Sequence, residues 1–359
     1  MGPVTLTWYG CDLRTGRIAE ELPALTPAQP LSRRLGAVTT TSFDLALAGA
    51  PPAWQPATDP GRTLLVAVDA TTGVPLWSGI PLTRAGGSAD TVAITASTPE
   101  CYLDRRYTAY TGTGVDLSTA MAQVAQPLLT QGPPFAVDSV PSGTLGNYTV
   151  QDSDDKTVLS CLQEIDAMSA APEWTIDTVW ANAAQTAVQL VLRIRPQIGV
   201  QSARPEAQFD LPGCVTDYTL TESYERGRGA TSATARGETQ GNSRITSAPH
   251  TAASLIADGW CLWEYRYQPA SGITDTSQLD AHATEALGLL QLGSAAWTVH
   301  AAASAAPRLG TDWALGDSIA VNIASSQRHP TGATTVARAY AWELDAENNT
   351  VSPILLEDQ

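Results

Sequence analysis

The segment of the chain that most resembles a reactive site is YLDRRY, residues 102–107. Two tyrosines flank three charged residues in it, namely Tyr102, Asp104, Arg105, Arg106 and Tyr107. A carboxylate next to two guanidinium groups could act as a general acid beside a clamp for an anionic group. The glycine-rich GTGVD that follows, residues 112–116, could cradle a phosphate. The sequence therefore raises the hypothesis of a catalytic or nucleic-acid site here.

The known signatures of phosphate binding and hydrolysis do not support that hypothesis. The single lysine, Lys156, lies in no glycine loop, so a P-loop is excluded. GTGVD has no third glycine three residues on, and it predicts instead a turn in which Asp116 is the N-cap of the following helix. GxSxG, HExxH and CxxC motifs do not occur, and the four histidines lack the short spacing of metal ligands. We therefore predict no catalytic residue, no metal site and no cofactor.

Two further groups of residues have a functional and a structural interpretation. The carboxylates of DSDD, residues 152–155, would suit calcium, but an EF-hand loop would need Gly and Glu where Thr157 and Gln163 stand. We interpret them as the start of a helix, where carboxylates favour the positive end of the dipole. Aromatic residues on strands usually anchor a core or a subunit interface, and we assign that role to Trp260, Trp263 and Trp342. A carbohydrate-binding platform is the alternative for the tryptophans.

Composition narrows the class of protein. The 359 residues carry a formal net charge of −16, which disfavours nucleic-acid binding unless the basic groups form one patch. No apolar run reaches the roughly 18 residues that a membrane helix needs. The five cysteines are scattered along the chain, a pattern typical of buried thiols in a protein made in the cytosol.

The charged segment stands between two kinds of predicted structure. Residues 1–100 are predicted to be strands and turns, with D-x-x-T-G at Asp12–Gly16 and again at Asp69–Gly73. This pattern is typical of hairpins, because Asp caps the turn with its side chain and Gly takes the left-handed conformation.

Beyond the charged segment, apolar residues at helical spacing predict three helices, from Leu117, from Asp155 and from about Ser277. Alternating segments predict strands between and after them, including one in GWCLWEYRY that contains both Trp260 and Trp263. The predicted order is β, α+β, β, α, β. The fold class is therefore mixed α+β and predominantly β.

The stretch around YLDRRY, from PLWSGIPL through TVAITASTPECYLDRRYTAYTGTGVDLSTAMAQVAQPLL, resembles a known family. It is similar to the tail hub, or baseplate hub, of long-tailed phages of high-GC Gram-positive bacteria, also called a minor tail protein. In that family a hairpin ending in W-x-G precedes a strand, a Y-L-x-R-R segment, a turn and an amphipathic helix. SLIADGWCLWEYRY with the following helix, and WALGDSIAVNIASSQRHPTGATTVARAYAWELD, resemble later parts of the same family.

The resemblance implies a structural virion protein that is not an enzyme. It implies two tail-tube-like β-barrel domains with α/β insertions. The first barrel would span residues 1–100, and the second 206–250 plus 300–359. An α+β insertion would span 101–205, and a small α/β insertion 251–299.

The resemblance also implies partners and a location. Three copies would form a homotrimeric ring that adapts the sixfold tail tube to a threefold spike or fibre. The implied partners are a distal tail protein ring or tail tube, a tape measure protein and a central spike or fibre protein. Genomic DNA would pass through the channel without specific binding, and no membrane would be involved. The protein would be assembled in the host cytoplasm and lie at the tail tip of the virion. The alternatives are a tail-associated cell-wall hydrolase and a carbohydrate-binding protein.

In this context YLDRRY becomes the seam between the first barrel and the helical insertion, with Asp116 at the start of the next helix. We expect one of Arg105 and Arg106 to pair with a nearby carboxylate across the joint. The other arginine should face a neighbouring subunit or solvent.

Overall fold

The computed structural model describes residues 4–240, 243–269, 273 and 275–356. Within them the fold is mixed α+β and predominantly β, which confirms the predicted fold class. The strands, in chain order, are β1 (Leu6–Asp12), β2 (Ile18–Glu21), β3 (Leu25–Pro27), β4 (Leu31–Arg34), β5 (Thr40–Ala46), β6 (Thr63–Asp69), β7 (Pro75–Ala85), β8 (Thr91–Ser97), β9 (Tyr110–Asp116), β10 (Phe135–Ser139), β11 (Leu145–Val150), β12 (Glu173–Trp180), β13 (Val188–Arg195), β14 (Gln208–Leu211), β15 (Val215–Ser223), β16 (Ser232–Gln240), β17 (Ser243–Thr246), β18 (His250–Thr251), β19 (Glu264–Tyr267), β20 (Ser294–Ala302), β21 (Ser318–Ile323), β22 (Ala333–Asp345) and β23 (Thr350–Leu356).

The α-helices are α1 (Trp54–Ala57), α2 (Glu100–Leu103), α3 (Leu117–Val124), α4 (Val158–Asp166), α5 (Ala253–Ala257) and α6 (Thr276–Leu290). Short 3-10 helices lie at Leu47–Gly49, Gln126–Leu129 and Asp152–Asp154. In the described part of the chain, no helix combines the length and the apolar character that spanning a membrane requires.

Seven strands of the N-terminal part form one antiparallel sheet in the order β2-β1-β6-β7-β8-β5-β3. Both D-x-x-T-G sequences are hairpin turns in this sheet, joining β1 to β2 and β6 to β7. In the first turn the Thr15 amide donates to Asp12 Oδ1 at 2.9 Å, and Gly16 has a φ of 69°. Gly73 repeats this left-handed conformation in the second turn, with a φ of 71°. The prediction of two hairpin turns is confirmed.

Three buried aromatic rings show that the first sheet is strongly curled. Trp8 on β1 contacts Phe43 on β5 edge-on, with ring centroids 5.2 Å apart. Trp77 on β7 lies 5.4 Å from the same Phe43 ring. These strands are not neighbours in the sheet, so their side chains meet only because the sheet bends around them as in a barrel.

The stretch of chain between β8 and β14 contains both strands and helices, and we call it the insertion. Strand β13 pairs in parallel with β10 and antiparallel with β12, and helices α3 and α4 pack on each other. Helix α3 begins at Leu117, as predicted. Helix α4 begins at Val158 rather than at Asp155, because Asp155 has a left-handed φ of 49° that an α-helix does not accommodate.

A second large sheet has the strand order β14-β21-β22-β23-β20-β15. Strand β4, from the N-terminal part of the chain, joins it as a seventh strand by pairing antiparallel with β22. In this register Leu31 lies opposite Leu344 and Arg33 lies opposite Trp342. The core includes the edge-on pair of Phe209 and Trp313, whose ring centroids are 5.9 Å apart. Backbone hydrogen bonds therefore connect the N-terminal strands directly to the C-terminal sheet.

The chain forms two compact units. The first extends to Asp166 and includes Ala171–Tyr218 and Thr298–Leu355. The second consists of Ala167–Ala170, Thr219–Trp297 and the residues from Leu356. The finer division into two barrels and two insertions, at the boundaries given above, stays a prediction.

The second unit is built on strand β16, which pairs with β17, β18 and β19. Helix α6 packs on this sheet, and Ala235, Leu279 and Ala283 are buried between them. Strand β19 is shorter than predicted, because it begins at Glu264 and the preceding residues 260–263 are irregular. The prediction that Trp260 and Trp263 share a strand is therefore wrong.

Candidate functional site

The YLDRRY segment connects strand β8 of the first sheet with strand β9 of the insertion. Tyr102 lies in the four-residue helix α2, and Asp104 follows as its C-cap. Arg105 and Tyr107 are exposed, whereas Arg106 is half-buried. A cavity of about 520 Å³ borders the segment, with Asp104 and Arg105 beside the apolar side chains of Leu82 and other residues of the first unit. The segment thus forms part of the wall of an open groove.

Arg106, one of the two arginines considered for an ion pair across the joint, forms none with a carboxylate of the described residues. Its Nη1 donates to the Tyr102 hydroxyl at 3.0 Å and to the Thr130 carbonyl oxygen at 2.8 Å. The Tyr102 ring stacks on Phe135 of β10, with centroids 6.1 Å apart. The hydrogen bonds of Arg106 to these neutral acceptors therefore connect helix α2 with the 3-10 turn that ends near Thr130.

The same segment is also tied to the start of α4. The Arg106 carbonyl oxygen accepts a hydrogen bond from the Val158 amide at 2.8 Å. Tyr107 forms an isolated antiparallel bridge with Thr157. The Thr157 hydroxyl donates to Asp104 Oδ1 at 3.1 Å. These contacts join residues that lie about fifty positions apart, and they fix where the insertion leaves the first sheet.

Asp116 is the N-cap of α3, as the sequence predicts. Its Oδ1 accepts from the Ser118 amide at 2.9 Å, and its Oδ2 accepts from the Gly143 amide at 2.7 Å. Ser142 donates to the carboxylate with both its amide and its hydroxyl. Partial burial favours the neutral acid, but these hydrogen bonds outweigh it and hold the pKa of Asp116 below its usual value. One carboxylate therefore both caps the helix and holds the loop before β11.

A larger group of charged residues, which sequence reasoning missed, joins strand β4 to strands β10, β12 and β13 within the first unit. We call it the arginine network, and its members are Arg33, Asp138, Asp177, Arg193 and Arg195. Arg193 donates to Asp177 at 2.6 Å and to Asp138 at 2.7 Å, and Arg195 donates to Asp138 at 2.6 Å. Arg33 reaches across from β4 and donates to the Ile176 carbonyl oxygen at 2.6 Å.

All members of the arginine network except Asp138 line a cavity of about 340 Å³, and residues within 314–317, just before β21, form another part of its wall. Strand β4, the insertion strands and the second sheet therefore meet around it. A signal for the network exists in the sequence, since Asp177, Arg193 and Arg195 occupy positions of β12 and β13 that alternate with buried apolar residues. The partner in β4 carries no such signal, because its position depends on long-range pairing.

Glu100, the first residue of α2, lies beside the network and is 2% exposed. Burial raises the pKa of this carboxyl, while the nearby Arg33 opposes the shift. Within the described residues its Oε2 has no hydrogen-bond partner. A buried acid in this state favours its neutral form.

The three predicted aromatic anchors have different surroundings. Trp342 on β22 is 2% exposed and belongs to the core of the second sheet. Trp260 and Trp263 are 41% and 54% exposed in the second unit. Tyr224 contacts both of their rings, with centroids 5.2 and 5.9 Å apart. Trp342 is thus a core residue, and the other two tryptophans belong to an exposed aromatic surface.

The described residues contain no group of three or more histidine, cysteine or acidic side chains that could hold a metal ion. The charged clusters described above are arranged as ion pairs and helix caps, which hold segments of the chain together.

No protein-family model matches this chain, and no curated protein matches it by sequence. Solved structures do match it over almost the whole length. The tail protein from Neisseria meningitidis MC58 aligns with a TM-score of 0.63 at 11% identity, covering 99% of this chain and 97% of that one. The prophage MuSo2 43 kDa tail protein from Shewanella oneidensis gives 0.59 at 11% identity, covering 98% of each chain. The prophage tail protein gp18 from Listeria monocytogenes EGD-e gives 0.55 at 11% identity, covering 98% of this chain and 94% of that one.

These neighbours come from three bacterial genera and do not support the expected restriction to phages of high-GC Gram-positive hosts. The identities are low, so the likeness concerns the arrangement of strands and helices. The chain has the fold of phage tail proteins.

Proposed function

We propose that the chain is a structural hub subunit at the tip of a phage tail. In this proposal three copies form a closed ring that adapts the sixfold tail tube to a threefold spike or fibre. When one chain uses two different surfaces to bind its own copies, the copies form a ring if the rotation between them closes.

The observation that carries the proposal is the presence of two seven-stranded sheets in one chain. Three copies would present six such sheets around an axis, which matches a sixfold tube on one face and a threefold partner on the other. The β4–β22 pairing supports this reading, since it brings a strand from the N-terminal part of the chain into the second sheet within one compact unit.

The groove beside YLDRRY is a good candidate for the contact between copies. Leu82 is 48% exposed and Val38 is 36% exposed in this groove, and Asp104 and Arg105 stand at its side. An apolar patch with charged residues at its edge is typical of a protein interface. In this proposal Tyr102, Asp104, Arg105 and Tyr107 contribute to the subunit contact.

The channel of the ring would admit DNA without binding it. The formal charge of −16 per chain supports this, because an acidic protein repels the phosphate backbone. The proposed partners are the distal tail protein ring or tail tube, the tape measure protein and the central spike or fibre. The proposed location is the virion, after assembly in the host cytoplasm, and the proposed role is not enzymatic.

Light scattering coupled to size-exclusion chromatography tests the proposal, together with negative-stain images of the purified protein. We expect the mass of a trimer and ring-shaped particles with a central opening. The same protein should also be added to tails assembled without it, so that a trimer that forms only on a tail is detected. A monomer that neither forms rings nor enters such tails would refute the proposal. Clearing of purified cell walls by the protein would favour the hydrolase alternative instead.

A further inference from the structure

The second compact unit contains a cavity of about 470 Å³ that the hub role does not use. Its walls are the end of β19, the C-terminal half of α6 and residues 167–170, all within this unit. The volume lies in the range of small-molecule sites in proteins, roughly 300–1,000 Å³. The cavity is separate from the exposed tryptophans, neither of which lines it.

One wall of the cavity is aromatic. Tyr265 and Tyr267 stack with ring centroids 5.2 Å apart and an interplanar angle of 20°. The Tyr267 hydroxyl donates to the His282 carbonyl oxygen at 2.7 Å, which fixes that ring against α6. The Tyr265 hydroxyl has no hydrogen-bond partner in the described part of the chain, so it is available to a ligand.

The facing wall supplies a hydrogen-bond acceptor. The Ser169 hydroxyl donates to the Glu285 carboxylate, with oxygen–oxygen distances of 2.9 and 2.7 Å. This contact orients the carboxylate at the cavity wall and leaves it lone pairs for further donors. Glu285 forms no ion pair with any described residue.

A donor group lies close to the acceptor. The Gln268 side-chain oxygen accepts a hydrogen bond from Arg244, so the amide N–H groups of Gln268 remain for a ligand. The cavity lining itself contains no lysine or arginine among the described residues. Pro269 and Leu289 complete the wall with apolar surface.

These groups define the class of ligand. The Glu285 carboxylate disfavours an anion, because no described lysine or arginine lines the cavity to offset its charge. A ligand that fits donates hydrogen bonds to this carboxylate, accepts them from the Gln268 amide and presents a flat apolar face to a tyrosine ring. We propose that this cavity binds a neutral pyranose saccharide, whose C–H face packs on Tyr265 and whose hydroxyl groups donate to Glu285. The apolar wall at Pro269 and Leu289 accommodates the methyl group of an acetamido substituent.

The test uses the full-length protein on an array of immobilised saccharides that are neutral, N-acetylated, acidic or carrying a free amino group. We expect binding to neutral or N-acetylated saccharides and not to the charged ones. Tyr265→Ala and Glu285→Gln should each weaken the binding by about tenfold or more. Glu285 is exposed on α6, so we expect Glu285→Gln to keep the fold. This variant therefore tests the proposal even if Tyr265→Ala, which removes a half-buried ring, does not fold.

The matched control is Trp260→Ala, which removes an exposed aromatic ring outside the cavity. It should leave saccharide binding within about twofold of the parent protein. The proposal is overturned if no saccharide is retained, if charged saccharides are preferred, or if Trp260→Ala weakens binding as much as Glu285→Gln does. Saccharide binding is measured independently of ring formation. A failure of the saccharide proposal would therefore leave the hub proposal intact, and a failure of the hub proposal would leave the saccharide proposal intact.

Discussion

Arg338 on β22 and Glu173 on β12 form a two-pronged ion pair, with nitrogen–oxygen distances of 2.8 and 2.7 Å. The arginine side chain is 11% exposed and the carboxylate 26%. Glu173 also accepts from the Ile198 amide at 2.8 Å, and Arg338 donates to the Ile198 carbonyl oxygen at 3.0 Å. The insertion is thereby attached to the second sheet by charge-assisted hydrogen bonds that are largely shielded from water.

Removing one partner of the ion pair between Arg338 and Glu173 should lower the free energy of unfolding. Arg338→Ala leaves the Glu173 carboxylate without its counter-charge, and we expect a loss of about 3 kcal/mol in the free energy of unfolding. Urea denaturation followed by tryptophan fluorescence measures it. The matched control is Lys156→Ala, which removes an exposed pair with Glu164 and should cost less than about 1 kcal/mol. Equal losses in both variants would show that the pair does not stabilise the joint.

Asp116 should make the free energy of unfolding fall at acidic pH. Its pKa is lower in the folded chain than in the unfolded one, so its contribution is present above about pH 4 and is lost as the pH falls through the folded value. Asp116→Ala should lose about 1 kcal/mol at pH 7 through the missing cap. Asp116→Asn keeps an acceptor for the amide groups but does not titrate. Denaturation curves between pH 7 and pH 2 should therefore be flatter for Asp116→Asn than for the parent protein, and parallel curves would contradict the assignment.

Glu100 should make the free energy of unfolding fall as the pH rises, which is opposite in direction to the effect of Asp116. Burial raises the pKa of this carboxyl in the folded chain, so the folded state holds the proton longer than the unfolded state does. The protein then loses stability as the pH rises above about 4.3, the usual value for glutamate, towards the raised value. Glu100→Gln removes this titration and should keep more of its stability between pH 5 and pH 8. An unchanged pH dependence in the variant would mean that Glu100 is ionised throughout the range.

Two adjacent arginines should respond differently to truncation. Arg106→Ala removes hydrogen bonds from a half-buried guanidinium to Tyr102 and Thr130, and we expect a loss of about 2 kcal/mol in the free energy of unfolding. Arg105→Ala affects an exposed side chain and should change the stability by less than about 0.5 kcal/mol.

The same pair of variants tests the proposed subunit contact. If the groove beside YLDRRY binds a neighbouring copy, Arg105→Ala should lower the trimer fraction measured by sedimentation without lowering the stability of the monomer. A trimer fraction that is the same in the parent protein and in Arg105→Ala would exclude Arg105 from the contact.

Local features of the fold were predictable from the sequence, and long-range ones were not. The D-x-x-T-G turns and the cap at Asp116 were predicted because each depends on a few consecutive residues. The start of α4 was misplaced because nothing in DSDD shows that Asp155 takes a left-handed conformation. The place of Arg33 in the arginine network depends on the pairing of β4 with β22, which positions this arginine beside Asp177. Sequence spacing carries no information on such a contact.

The pairing of β4 with β22 also bears on how the protein is synthesised. Strand β4 is translated before its partner strand β22, and all of the strands from β5 to β21 lie between them in the chain. Before its partner is made, β4 presents unpaired backbone groups, and Arg33 belongs to a network that still lacks the wall formed by residues 314–317. The nascent chain therefore carries an incomplete first unit until β22 has been translated, at the stage when exposed strand edges promote aggregation.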